Sequence, residues 1–307
     1  MDVFALIAIL FLGGMALQRV PAFPRDSGMA FNMYVVYVAL PAMVLRYVPT
    51  LPLSTKLLTP VLTPWLLLLA SATAVIGLGR LLGWRREVVG ALLMTATMGN
   101  TSFLGVPMVQ AHFGLEYVAY ALLYDQLGSF LILATYGAVI IAIYDQQDPN
   151  RDASGLPSVK AILKKILTFP PFIAMVVAFL LRGTLFPEWI SSILVRLSDT
   201  LVPVVMLAVG FQFRFRLDAS YRGPLAAGLL IKMVAAPLLT LGVVRFMGLS
   251  GAAVDIAIFE AGMPAMVTAG ALSMAAGLAP RLVASLVGLG ILLSFGSLIL
   301  IKILILL

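Results

Sequence analysis

Residues 99–107 read Gly99-Asn100-Thr101-Ser102-Phe103-Leu104-Gly105-Val106-Pro107, and they interrupt a stretch otherwise apolar enough to cross a membrane. A second apolar stretch carries Glu260-Ala261-Gly262-Met263-Pro264 at its centre. Proline has no amide donor and its ring clashes with the preceding turn, so both helices are expected to break, at Pro107 and at Pro264. Broken, polar backbone at membrane depth persists only when buried in protein or lining a wet cavity. Two interrupted helices in corresponding places of two halves point to the binding site of a secondary transporter.

The rest of the chain supplies the frame. Of 307 residues, 62% are hydrophobic and 11% charged, against roughly 25% charged in soluble proteins. The expectation is an all-α polytopic membrane protein. Ten windows are apolar enough to span: 2–20, 28–48, 58–82, 87–113, 115–144, 161–183, 188–213, 221–247, 251–277 and 279–306. The first lacks a basic n-region and is read as a helix rather than a signal peptide. No cysteine is present, which excludes disulfides and thiolate metal sites.

The polar segment 145–160 divides the chain into five-helix halves, 1–144 and 161–307. Basic residues follow alternate loops. Thirteen of them (Arg19, Arg25, Arg80, Arg85, Arg86, Arg151, Lys160, Lys164, Lys165, Arg214, Arg216, Arg222 and Arg281) fall on one side, and six on the other. The richer side is expected in the cytoplasm, with 145–160 as a cytoplasmic linker and both termini outside. Five helices per half give the halves opposite orientations, a 5+5 inverted repeat. Prolines mark corresponding places: Pro41 and Pro203, Pro64 and Pro237, Pro107 and Pro264.

The run from Gly99 to Pro107, followed by Gly114, resembles the fourth-helix motif of the auxin efflux carrier family. Ser198-Asp199, Gly210, Lys232 five residues before Pro237, and Ala257 to Pro264 extend the resemblance along the chain. That family includes plant auxin exporters and bacterial carriers of small carboxylates. The resemblance implies the fold of the bile acid–sodium symporters, with two crossing broken helices. It also implies a mobile core (helices 3–5 and 8–10) that slides as an elevator beside a scaffold (helices 1, 2, 6 and 7). A homodimer through the scaffold helices is a further expectation. This chain has Glu260 where plant members usually have Gln, and it lacks their long central loop, which points away from auxin.

Each candidate residue has two readings. Asn100, Thr101 and Ser102 lie where helix 4 is expected to unwind; with backbone freed around Gly99 and Gly105, they could bind a carboxylate or a coupling ion near a half-helix N-terminus, or could only satisfy the kink at Pro107. Gly262, Met263 and Pro264 form the matching break. Glu260, an acid at the middle of a span, could take a proton or sodium, or pair with Lys232. Lys232 could face the substrate anion or serve a structural pair. Asp125, with Gln126 and Ser129, could join Asn100 and Glu260 in holding sodium, or could brace the helix 4 break. Arg196 and Asp199, three apart, read as an interfacial pair, and Asp255 as part of an entry path.

Other patterns fail. Tyr124-Asp125 has no GxGD partner for an intramembrane protease, and His112 and Glu116 form no HExxH motif. No GxxxxGK[ST] loop is present, so no ATP site is expected and no nucleic acid or enzyme role follows. The expectation is a secondary carrier of a small organic anion, a mono- or dicarboxylate, in the cytoplasmic (inner) membrane of a cell. It needs no cofactor beyond proton or sodium coupling. The alternatives are an anion channel and a potential-driven uniporter of an auxin-like aromatic acid.

Overall fold

A computed structural model describes residues 2–52, 54–144, 158–184, 186–213 and 218–307. Among these residues every regular element is helical, and the one β-type pairing is an isolated antiparallel bridge between Gly99 and Ala265. Six helices are long and apolar enough to cross a membrane: α2 (Ser27–Thr50), α3 (Thr55–Leu81), α5 (Leu115–Tyr144), α7 (Glu188–Gln212), α8 (Arg222–Phe246) and α10 (Pro280–Leu306). The window at 2–20 yields a shorter helix, α1 (Asp2–Leu17). The window at 161–183 yields α6a (Val159–Leu167) and α6b (Pro170–Leu180), bent by 67°. The windows at 87–113 and 251–277 are interrupted. The first gives α4a (Arg86–Thr95) and α4b (Val106–His112), the second α9a (Ala252–Ala261) and α9b (Val267–Ala275). Residues 145–157 of the expected linker, with Arg151, lie outside the described residues, as do Arg214 and Arg216. Val159 and Lys160, at the far end of the expected linker, begin α6a.

Of the two prolines expected to break their helices, Pro107 does not. Widened π turns occupy Val35–Ala39, Thr101–Gly105 and Ile231–Ala235, each ending two residues before a proline: Pro41, Pro107 and Pro237. A proline ring collides with the carbonyl four residues back, and that carbonyl lies inside the widened turn each time. The turn absorbs the conflict and the helix continues. Pro64 likewise sits inside unbroken α3. The expected break at Pro107 is therefore corrected: helix 4 opens at Ala96–Asn100, well before the proline, whereas helix 9 opens at Pro264 itself.

The chain forms two compact units. The first comprises residues 1–54, 102–122 and 166–213, the second 55–101, 123–165 and 214–307. They are not the two sequential halves, and α5 passes from one to the other.

In the first unit, α1 packs along the second half of α7 with backbones nearly touching. A Cβ on Gly14 would run into the Leu207 carbonyl, and one on Gly210 would run into the Phe11 carbonyl. Small residues permit this approach where lipid offers no hydrophobic drive for helices to associate. Gln18 donates its Nε2 to the carbonyls of Gly210 and Phe213, both at 2.9 Å, and so satisfies the end of α7. Asp199 accepts from Arg46 of α2 at 2.7 Å, with Ser198 Oγ taking the same guanidinium. The expected Arg196–Asp199 pair is absent, because a partner from another helix meets Asp199 instead.

In the second unit, α4a lies among α9b, α10 and the end of α5, with Leu92, Met94, Val283 and Leu286 in one buried cluster. A π turn at Asp125–Ser129 in α5 receives α3. The Pro64 ring fills the space where a Gly128 Cβ would be, and the Trp65 indole donates to the Leu127 carbonyl at 3.1 Å. α9a is flanked by α3 and α8.

Candidate functional site

Interrupting two helices inside a protein strands backbone donors and acceptors, and each must find a partner. Here the two breaks satisfy one another. Asn100 N–H donates to the Pro264 carbonyl at 2.8 Å, and Met266 N–H donates to the Met98 carbonyl at 3.0 Å. Gly99 and Ala265 face each other between these bonds as a minimal antiparallel ladder. Pro264 suits its place, since it offers a carbonyl and its missing donor is not needed. Gly262 lies against α10: a Cβ there would meet Ile301 Cδ1, which would have to turn aside.

Side chains brace this crossing. Thr101 Oγ1 donates to Asp125 Oδ1 at 2.5 Å, and Gln126 Nε2 donates to Asp125 Oδ2 at 2.6 Å. Both oxygens of Asp125 thus accept, the pattern of a carboxylate. Lys232, on the π turn of α8, donates Nζ to the Ala261 carbonyl at 2.8 Å. That carbonyl is the last of α9a, where an ammonium is favoured by the exposed carbonyls and the helix dipole. Gly99 makes room for it: a Cβ there would lie 3.1 Å from Lys232 Cε and 3.2 Å from Nζ. Met263, buried, borders the same space, its Cβ 3.4 Å from that position.

Among the described residues, three groups at the crossing keep unsatisfied side-chain atoms: Asn100, Glu260 and Gln126, whose Oε1 accepts from nothing. Asn100 is 2% exposed, and its side-chain Nδ2 has no acceptor. Glu260 is fully buried, and neither carboxyl oxygen has a hydrogen-bond partner. No ion pair within 4.0 Å joins it to Lys232, so of the alternatives for Glu260 the direct pairing with Lys232 is not formed. Asp125, Lys232 and Tyr124 all lie within electrostatic reach of Glu260. A cavity of about 10 Å³ opens between Lys232, Gly99, Thr97, Tyr124 and Ser129, at the lower limit for one water.

The second unit therefore gathers Asn100, Thr101, Asp125, Gln126, Ser129, Lys232, Glu260, Gly262, Met263 and Pro264 around one crossing. Ser102, Gly105 and Pro107 follow on the helical segment that belongs to the first unit. Among the described residues no three His, Cys, Asp or Glu side chains cluster as a metal site. Tyr124 entered the sequence reading only as the neighbour of Asp125 in a failed protease motif, and Gly128, three residues beyond Asp125, was given no role.

This arrangement of broken helices is one that transporters use, and comparison with known proteins agrees. Residues 1–302 match the model of a family described as membrane transport protein. An uncharacterized transporter of Methanothermobacter thermautotrophicus is 26% identical over 303 residues, 95% of this chain and 94% of the relative. An uncharacterized transporter of Methanocaldococcus jannaschii is 28% identical over 224 residues, 69% of this chain and 68% of the relative. The family and both relatives are transporters rather than enzymes, and the apolar helices fit a multi-pass membrane protein. The chain belongs to the auxin efflux carrier family of membrane transport proteins.

Proposed function

We propose that this transporter is a secondary carrier of a small organic anion, a mono- or dicarboxylate, bound at the helix crossing. The observation that carries the reading is the buried Asn100 Nδ2, a donor without an acceptor beside paired helix breaks. A buried donor left unpaired costs about 1–3 kcal/mol, and a substrate carboxylate supplies what it lacks. Thr101 is already engaged by Asp125, and Lys232 by Ala261. They hold the platform, and the Lys232 charge stands behind it.

Glu260 is the group for coupling, because two unpartnered carboxyl oxygens suit a proton or sodium. A sodium ion there would rest on Glu260, with Asp125 and the Asn100 amide oxygen as its further oxygens. α1, α6b, the pair α4a–α4b and the pair α9a–α9b complete ten crossings with the six long helices, as a 5+5 inverted repeat with both termini outside a cytoplasmic membrane. Elevator movement of the core helices provides alternating access, and the scaffold helices offer a homodimer contact.

The test is purified protein in a thermal-shift screen against mono- and dicarboxylates, with and without sodium at two pH values. Counterflow in proteoliposomes follows for any hit. Saturable uptake and counterflow are expected. Flux that does not saturate would mean a channel, and stabilisation by cations of organic amines alone would overturn the anion reading.

A further inference from the structure

The short helix α6a, Val159–Leu167, is not the straight start of a membrane span. Ser158 caps it, its hydroxyl accepting from Ala161 N–H at 3.2 Å. Its far end is set by Pro170-Pro171. Phe169 before them is extended, at φ −79° and ψ 116°, as a residue preceding proline prefers, and the chain turns by 67° into α6b.

Within α6a, Val159, Ile162, Leu163, Ile166 and Leu167 fall at i, i+3, i+4, i+7 and i+8, a single apolar face. Lys164 and Lys165 occupy the opposite face, and Lys160 flanks the stripe at its edge. The apolar face is largely uncovered, with Val159 72%, Leu163 50% and Leu167 62% exposed. Such a face needs an apolar medium. The bilayer crossed by the rest of the chain is the one medium necessarily at hand, two residues away through Thr168-Phe169. Lysines opposite an apolar stripe complement anionic headgroups.

We infer that α6a lies in the plane of the membrane surface, its apolar face in the acyl boundary and its three lysines on anionic phospholipid headgroups. The inference rests on the chain being a multi-pass membrane protein and is independent of its substrate. It makes α6a a lipid-sensing anchor at the start of the second half, favoured in a leaflet with negative charge.

The cysteine-free chain allows a direct test. An environment-sensitive fluorophore is placed at Leu163→Cys or at Lys160→Cys, in nanodiscs of phosphatidylcholine alone or mixed with phosphatidylglycerol. With phosphatidylglycerol, the label at position 163 should shift to the blue and be quenched by nitroxide lipids, while the label at 160 stays open to iodide. At about five-fold per lysine, changing Lys160, Lys164 and Lys165 to Gln should lower the docked-to-undocked ratio at position 163 by about 100-fold. Thermal unfolding confirms that each variant folds. Three results would overturn the proposal. A label at 163 open to iodide means no docking. One shielded from both iodide and lipid nitroxides means a protein segment covers the face. Equal docking with and without phosphatidylglycerol, unchanged by the triple substitution, means the lysines do not read lipid charge.

Discussion

The main-chain amide of Asn100 donates to the carbonyl of Pro264, joining the two helix breaks and leaving the Asn100 side chain free of that duty. Structure and binding are thus separable at one residue. Asn100→Ala should fold and insert, because the bond between the breaks is made by backbone. It should lose stabilisation by substrate, with affinity weakened about 10- to 100-fold, the worth of one hydrogen bond to a charged acceptor. Near-normal affinity in a thermal-shift titration would place the site elsewhere.

The contact between Pro64 and Gly128 makes a second prediction. Neither the proline ring nor the backbone beneath it can yield easily, so Gly128→Ala should destabilise the protein by about 1–3 kcal/mol. The added Cβ would drive into the ring. Pro64→Ala removes the obstacle, and the double variant should recover most of the loss. Strictly additive losses in a double-mutant cycle would show that the two residues do not meet.

Prolines at the two breaks are not equivalent. Pro107 follows a π turn inside a continuing helical segment, whereas Pro264 sits in the opening itself. Pro107→Ala is expected to change stability by less than about 1 kcal/mol and to leave transport near normal. Pro264→Ala permits helix to grow into the opening, and it should slow counterflow more than it weakens substrate binding. Equal effects at both positions would argue against a mechanistic role for the opening at Pro264.

What the sequence made legible was the kind of element, and what it hid was local rescue and distant partnership. The polar run at Gly99-Asn100-Thr101 and the Pro264 break were readable because glycine, asparagine and proline together inside apolar spans disrupt a helix more than they support one. The unwinding around Gly99 and Asn100 was legible, but no break follows at Pro107, because its conflict is absorbed by the turn at Thr101–Gly105, a property of backbone geometry with no residue signature. The Arg46–Asp199 bond joins positions far apart in the chain, while spacing suggested Arg196. Lys232 and Glu260 looked like natural partners by charge. The competing carbonyl of Ala261 belongs to a helix end, and it becomes visible only once the break is built.

Glu260 and Asp125 are both buried acids, but their bonding is opposite, and this yields the last prediction. Asp125 accepts from Thr101 and Gln126, whereas Glu260 accepts from nothing. Asp125→Ala leaves two buried donors unpaired and should cost about 2–6 kcal/mol, from about 1–3 for each. Glu260→Gln removes no hydrogen bond and keeps the shape, so its thermal stability should match or exceed that of the wild type. Transport should respond the other way. If Glu260 carries the coupling proton or sodium, glutamine, which cannot titrate, should abolish dependence on pH or sodium gradients. Substrate exchange should persist, since exchange never requires the empty carrier to return. The measurement is gradient-driven uptake beside counterflow in the same proteoliposomes. Full ion dependence retained in Glu260→Gln would transfer the coupling role to Asp125. A wild type indifferent to both ions would leave a potential-driven uniporter, with Glu260 outside the coupling chemistry.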